Sequence, residues 1–163
     1  MSKRSIVVAI ALAAGALSYA SGAAAQMPNP YGAPIDLATA KSVAAASIAE
    51  AKKNNLTMAI AIVDIGGDLV YFEKIDGTQT ASVALAIAKA NSSVKYKRPT
   101  DTFQAGLAAG ADGLRLLTYN DMAAVGGGVP IVVGGKVVGA VGASGGTFAQ
   151  DTQVANAGAS TQK

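Results

Sequence analysis

The chain lacks both cysteine and histidine, and these two absences exclude many kinds of functional site. The chain cannot form a disulfide, a zinc finger, a blue-copper site, or a Ser-His-Asp or Cys-His catalytic triad. It also has no imidazole, the usual ligand of haem iron. The folded chain must therefore be stabilised by packing and, where copies associate, by subunit contacts.

The first residues predict a secretory signal peptide over residues 1–25. Lys3 and Arg4 precede the apolar run IVVAIALAAGAL. That run has about a dozen residues, which is too short to span a bilayer comfortably. Ala23-Ala24-Ala25 then gives the small-x-small pattern of a cleavage site. We expect cleavage before Gln26 and a periplasmic or secreted protein, the alternative being a short membrane anchor.

Signal cleavage also changes the charge balance of the chain. The full sequence has 13 Lys and Arg against 10 Asp and Glu, a net charge of +3. Removing Lys3 and Arg4 leaves 11 basic residues against 10 acidic ones, a net charge of +1. Such a balanced surface has no field to attract nucleic acid. We therefore expect no nucleic-acid partner. No second apolar run is long enough to span a membrane, so we also expect no membrane partner after cleavage.

Residues 36–163 are predicted to form one domain, preceded by a linker or extended arm over residues 26–35, which is rich in Pro and Gly. Two apolar segments fold back on themselves around Gly66-Gly67 and Gly134-Gly135, as in β-hairpins. Helical patterns flank both hairpins. Hairpins with flanking helices indicate an α+β fold with an antiparallel sheet.

The helix boundaries follow from capping residues and apolar spacing. The predicted helices run from an Asp36 cap to about Asn54, from Thr80 or Thr78 to about Ser93, over Asp101 to Ala109, and from Phe148 to about Ala157. In the second of these, Val83, Ile87 and Ala90 are expected to face the core, with Ala84 and Ala86 beside them. The segment 110–120 fits either a strand or a helix.

The stretch VVGAVGASGGTFAQD, residues 137–151, enters the last helix through several glycines. It lacks the Gly-Lys-Ser/Thr ending of a phosphate-binding loop and the spacing of a dinucleotide fingerprint. Gly139 and Gly142 are expected where another element packs closely. Thr147 and Gln150 have the spacing of a capping box. Gly145, Gly146 and Thr147 are a candidate anion site, because N–H groups at a helix start are free.

Three ordered segments make the chain resemble a known family. They are AIVDIGGDLVYFEKIDG (61–77), KANSSVKYKRPT (89–100) and GGGVPIVVGGKVVGAVGASGGTFAQD (126–151). The set resembles the GlcG/HbpS family, which is related to the PduO C-terminal domain, and the resemblance runs from about Leu37 to Ala159. It implies a profilin-like fold, assembly into oligomers, and haem or tetrapyrrole binding in some members.

The chain departs from that family where haem coordination is concerned. Many members have His where this chain has Asp68, and some have His in the first helix. Haem iron needs an axial donor. The donors left for haem are Tyr71, Tyr96, Tyr119, Met58 and Met122, and the sequence does not choose among them.

The segment Lys95 to Thr100 is the densest cluster of charged and aromatic residues, and we predict ligand binding there. Arg98 suits a carboxylate, such as a haem propionate or a small organic acid, and Tyr96 can stack on a ring. The predicted ligand residues are Lys89, Tyr96, Arg98 and Thr100. The alternatives are a solvated helix end, or an Arg98 ion pair with Glu73 or Asp76.

Other polar and apolar clusters have simpler interpretations. Asp64 is expected to fix the first hairpin by accepting backbone N–H bonds. The carboxylates of Asp64, Asp68, Glu73 and Asp76 form the alternative acid/base or hard-cation set. No known metal-loop pattern is present, so we predict no metal site. The apolar group Leu116, Leu117, Tyr119 and Met122 is expected in the core or at a subunit contact.

Three function classes remain open from the sequence. The first is an exported, non-enzymatic oligomer that binds haem, another tetrapyrrole or a small acid. The second is a structural or interaction oligomer without a cofactor. The third is an enzyme that acts on a small acid with Asp, Lys or Tyr.

Overall fold

The computed structural model describes residues 28–162, so the predicted signal peptide lies outside the described residues. The elements are α1 (Leu37–Lys53), β1 (Ala59–Asp64), β2 (Leu69–Lys74), α2 (Ala81–Tyr96), α3 (Asp101–Ala108), a 3₁₀ helix (Ala111–Thr118), β3 (Gly128–Val133), β4 (Lys136–Ser144) and α4 (Phe148–Ala159). This order confirms the predicted α+β fold. Within residues 28–162, no helix is both long and apolar enough to cross a membrane.

The four strands form one antiparallel sheet in the order β2-β1-β4-β3. Alternate residues of β1 point to opposite faces of the sheet. Ile60 and Ile62 join the core formed with α1 and α4. Ala61 and Val63 pack in the clusters that contain α2 residues. The sheet is therefore covered by α1 and α4 on one face and by α2 on the other.

Helix α1 forms as predicted. The Asp36 side chain accepts a 2.7 Å hydrogen bond from Thr39 N, which caps the first turn. Ala40, Val43, Ala44, Ile48 and Ala51 form a buried apolar stripe along this helix, whereas Leu37 in the first turn is 51% exposed. The stripe packs on the sheet and on α4, whose capping box between Thr147 and Gln150 also forms as predicted.

The face of α2 that meets the sheet differs from the predicted one. Ala86, Ala90 and Val94 are buried, whereas Val83 and Ile87 are half-buried and Ala84 is exposed. The reason is the close approach of the helix to β4. A Cβ at Gly142 would collide with the Ala86 carbonyl and lie 2.7 Å from Ala90 N. Small residues therefore line this contact, as expected for Gly142.

Left-handed backbone ends α2 and shapes both hairpins. Lys97, with φ 54° and ψ 38°, terminates α2 at Tyr96, three residues beyond the predicted end. Gly134 and Gly135 both have positive φ, as a primed turn requires, whereas in the first hairpin only Gly67 does. The ambiguous segment 110–120 forms the 3₁₀ helix that packs on α3.

Candidate functional site

A surface groove lies where the α2–α3 connection passes the edge strand β3. Its volume is about 550 Å³, within the usual range of ligand sites of roughly 300–1,000 Å³. Its lining comes from the N-terminal arm, the α2–α3 connection, the first turn of α3, β3 and the start of β4. The lining residues are Pro28, Asn29, Lys97, Arg98, Pro99, Thr102, Val129, Pro130, Val132 and Val137.

The groove combines an apolar floor with a cationic rim. Pro130 and Val132 are the half-exposed apolar residues of this floor, Val129 and Val137 are largely buried beneath it, and Lys97 and Arg98 are the two charged residues of the lining. Such a surface can hold a flat, largely apolar molecule by its ring and a carboxylate by its edge. The charged segment that the sequence singled out therefore borders the groove.

Arg98 is exposed at this rim, and its Nε donates a 3.3 Å hydrogen bond to the Tyr96 carbonyl. Within residues 28–162 there are four ion pairs, and Arg98 belongs to none of them. The alternative that Arg98 pairs with Glu73 or Asp76 is therefore wrong. The rest of its guanidinium is available to a ligand.

Lys89 lies elsewhere, which corrects its assignment to a ligand site. Its side chain has no solvent exposure, and its Nζ is 2.5 Å from Asp151 Oδ2 and 3.2 Å from the Ala143 carbonyl. Burial lowers the pKa of the Lys89 ammonium, and its bond to Asp151 opposes this effect. Lys89 therefore links α2 to β4 and α4 inside the protein.

The pair is closed off from solvent by backbone and by one aromatic ring. A Cβ at Gly127 would lie 2.9 Å from Lys89 Nζ, so only glycine fits over the ammonium. On another side, Nζ lies 5.6 Å from the centre of the Phe148 ring, a cation–π distance.

The candidate anion site at Gly145, Gly146 and Thr147 is filled by the chain itself. Gly145 N and Gly146 N donate to Asp151 Oδ1 at 3.1 Å and 2.9 Å. Thr147 N donates to Gln150 Oε1 at 2.9 Å. The prediction of free N–H groups here was therefore wrong, because the carboxylate of Asp151 and the amide of Gln150 already accept their bonds.

The other two predicted ligand residues also lie outside the groove lining. Thr100 is buried, and its Oγ1 accepts a 2.9 Å bond from Gly128 N, so its role is to join the α2–α3 connection to β3. Tyr96 packs edge-to-face on Phe103 and Tyr119, with centroid distances of 5.4 Å and 6.0 Å. Of the four predicted ligand residues, only Arg98 borders the groove.

The five candidate haem donors do not converge on one place. Met58 is fully buried in the core, which removes it as a ligand. Tyr71 donates to Glu73 Oε2 at 3.0 Å, and this bond raises the pKa of the Tyr71 phenol. Tyr96, Tyr119 and Met122 are partly accessible, but none of them lines the groove.

The first hairpin confirms the structural interpretation of Asp64. Its Oδ1 accepts bonds from Gly66 N at 2.8 Å and from Asp68 N at 3.1 Å. Over the described part of the chain, no three acidic side chains come together as a metal-ion cluster.

Lys97 lies in the predicted binding segment but is not among the four residues predicted to bind the ligand, and Asp151 was missed as the partner of Lys89. A lysine that shares a helix face with Ala86 and Ala90 will be buried, and a buried ammonium needs an anion. That rule could have directed attention to Asp151. The contribution of the arm and of β3 to the groove depends on tertiary packing, and no local pattern signals it.

Comparison with known proteins identifies the family. A family model described as "Haem degrading protein HbpS-like" matches residues 35–160, and the chain belongs to this family. It is 34% identical over 125 residues to an uncharacterized 15.0 kDa protein of the dhaT-dhaS intergenic region of Citrobacter freundii, over 76% of this chain and 88% of that protein. It is 36% identical over 105 residues to protein GlcG of Escherichia coli K12, over 64% of this chain and 77% of GlcG.

Solved structures agree with this assignment. The crystal structure of Klebsiella pneumoniae protein ORFY superposes with a TM-score of 0.72 at 30% identity, over 82% of this chain and 94% of ORFY. The crystal structure of a PduOC:heme complex superposes with a TM-score of 0.70 at 22% identity, over 78% of this chain and 94% of that one. The second likeness is one of fold.

Proposed function

We propose that the protein is an exported, non-enzymatic binding protein for haem, a related tetrapyrrole or a small organic acid, and that the groove is its binding site. The observation that carries the proposal is the apolar floor of β3 and β4 beside the cationic rim of Lys97 and Arg98. Tetrapyrroles with propionate groups have the matching chemistry. The family description and the haem complex of PduOC support the same ligand class.

The lining fits the ring and the carboxylates of a tetrapyrrole better than it fits the iron of haem. The chain has no histidine or cysteine, and the described lining of the groove includes no tyrosine or methionine. The groove therefore offers none of the usual axial donors. We expect the metal-free ring, protoporphyrin IX, to bind about as well as haem.

Fluorescence titration of the mature protein with protoporphyrin IX tests the proposal. A carboxylate at an exposed rim gains about 1 kcal/mol from one cation, so Arg98→Ala should weaken binding roughly fivefold. The matched control is Arg115→Ala, because Arg115 is a highly exposed arginine on the 3₁₀ helix, where it pairs with the similarly exposed Asp112. The dimethyl ester of protoporphyrin, which lacks both carboxylates, should be insensitive to Arg98→Ala.

The same titrations can also contradict the proposed function. No saturable binding of either porphyrin, with binding of a simple dicarboxylate that Arg98→Ala weakens, would assign the groove to small acids. If Arg98→Ala and Arg115→Ala weaken porphyrin binding equally, the groove is not the binding site. Steady loss of the haem Soret band with a reductant, at catalytic amounts of protein, would contradict the non-enzymatic part.

We also propose that copies of the chain associate. The supporting observation is an exposed apolar patch on and beside the 3₁₀ helix, where Leu114, Leu117 and Tyr119 are 52%, 69% and 51% exposed. Apolar side chains clustered in this way mark contact surfaces. Light scattering should give a multiple of the chain mass, and Leu117→Glu should lower it. An unchanged mass for Leu117→Glu would place the contact elsewhere.

A further inference from the structure

The N-terminal arm is part of the folded domain from residue 30 onward. Val137 N donates to the Pro30 carbonyl, and Gly32 N donates to the Val137 carbonyl, both at 2.8 Å. Ile35 N donates to the Val138 carbonyl at 2.8 Å. Strand β1 pairs with β4 only as far as Gly139, so the arm takes the place of β1 beside the first residues of β4.

Tyr31 fastens this arm to the end of α2. Its hydroxyl lies 2.8 Å from the Val94 carbonyl oxygen and 3.2 Å from that of Lys95, and it donates to this end of the helix. The last carbonyls of a helix lack their full set of internal donors. A side chain from outside the helix therefore satisfies them and joins two segments that are more than 60 residues apart in sequence.

The ring of Tyr31 also contacts the rim of the groove. Lys97 Nζ lies 5.2 Å from the ring centre, which is a cation–π distance. Lys97 has the left-handed backbone conformation that L-residues rarely adopt, and Pro28 and Asn29 of the arm line the same groove. One tyrosine thus contacts both the helix end and the ammonium at the groove.

We propose that the arm forms one wall of the binding groove, and that Tyr31 is a positioning residue that holds the Lys97 ammonium at the rim for a carboxylate. The inference rests on the function proposed above for its ligand. Tyr31 acts through Lys97 and does not line the groove itself. An exposed lysine samples many rotamers, so a ring that holds its ammonium reduces the entropy lost on binding.

A double-mutant cycle on the mature protein tests this role with protoporphyrin IX as the probe. Tyr31→Leu and Lys97→Met should each weaken binding roughly fivefold, and Tyr31→Leu should have a much smaller effect in the Lys97→Met background, where only its contact with the arm wall is left to lose. Tyr31→Phe keeps the ring and should fall between wild type and Tyr31→Leu. The matched control is Tyr71→Leu, since the Tyr71 hydroxyl also donates one hydrogen bond and the residue lies outside the groove.

A measurement without ligand separates this inference from the proposed function. In the nuclear magnetic resonance spectrum, the ε-methylene of Lys97 should be shifted upfield by the Tyr31 ring, and Tyr31→Leu should abolish the shift. The amides of Gly32 and Ile35 should exchange faster in Tyr31→Leu. If wild type binds no porphyrin but shows these signals, the proposed function fails and the positioning of Lys97 stands. Absence of the upfield shift, or additive losses in the cycle, overturns the role of Tyr31.

Discussion

Breaking the buried pair of Lys89 and Asp151 should destabilise the protein strongly, and removing Asp151 should destabilise it more than removing Lys89. Removing one partner of a buried pair costs about 3–5 kcal/mol of unfolding free energy. Asp151→Ala deprives the ammonium of its anion and also leaves Gly145 N and Gly146 N without their acceptor. Lys89→Met leaves the carboxylate with both backbone donors. We therefore expect the unfolding free energy to fall by about 5 kcal/mol in Asp151→Ala and by about 3 kcal/mol in Lys89→Met.

Urea unfolding followed by circular dichroism measures these losses, and suits a chain without tryptophan. Asp112→Asn is the matched control, because the Asp112–Arg115 pair is 91% and 83% exposed and should not change the midpoint measurably. A loss below about 1 kcal/mol for Asp151→Ala would refute the reasoning. A larger loss for Lys89→Met than for Asp151→Ala would refute the proposed inequality.

The pH dependence of the Asp151→Ala variant gives a second check. Burial lowers the pKa of Lys89 below its ordinary 10.5, and Asp151 is the group that opposes this shift. Between the pKa of Lys89 in the folded chain and 10.5, Lys89 is protonated in the unfolded chain but not in the folded one. The contribution of Lys89 to the unfolding free energy therefore rises with pH in this range. Without Asp151 the native pKa falls further. The difference in unfolding free energy between wild type and Asp151→Ala should therefore narrow as the pH rises toward 10.5. A difference that stays constant over this range would contradict this account.

Three further predictions concern other parts of the chain. Gly142→Ala should lower the free energy of unfolding in urea by about 1–3 kcal/mol, because its Cβ meets the backbone of α2. Gly66→Ala should cost less, because its Cβ meets only the side-chain oxygens of Asp64 and Asp68. The hydrogen bond from Thr39 lowers the pKa of Asp36 below 3.8 in the folded chain. Wild type should therefore exceed Asp36→Ala in unfolding free energy by a full margin above pH 3.8, and this margin should vanish as the pH falls through the pKa of Asp36 in the folded chain. A margin that does not change with pH would contradict this prediction. Mass spectrometry of the exported protein should find Gln26 at its N-terminus, and an intact Met1 on membrane-bound protein would contradict cleavage.

The sequence predicted the fold more completely than the site because capping and turn signals are local. Asp36, Gly134-Gly135 and the Thr147–Gln150 capping box each determine backbone within a few residues, and all three formed as expected. The inner face of α2 was misplaced, because Gly142 on a distant strand decides which helical side fits against the sheet. The spacing of apolar residues within a helix does not show which of its faces will contact a distant strand.

The site was predicted only in part, for a related reason. The charge density of segment 95–100 drew attention to Arg98, which borders the groove. Local charge does not reveal whether a side chain is already paired, and Lys89 has its partner 62 residues away in Asp151. The groove also needs the arm and β3, which are distant in the sequence from segment 95–100 and meet it only in the folded chain.

The enclosure of Lys89 beneath Gly127 and Phe148 has a practical consequence for following the protein in solution. Acylating reagents modify a lysine only when its amine reaches solvent. In the folded chain Lys89 should be modified only through opening events, at a rate equal to the intrinsic reaction rate multiplied by the open fraction. The exposed Lys52 and Lys53 at the end of α1 report the intrinsic rate in the same sample. The ratio of the two rates, read by peptide mass spectrometry, makes this lysine an internal gauge of how often the interior opens.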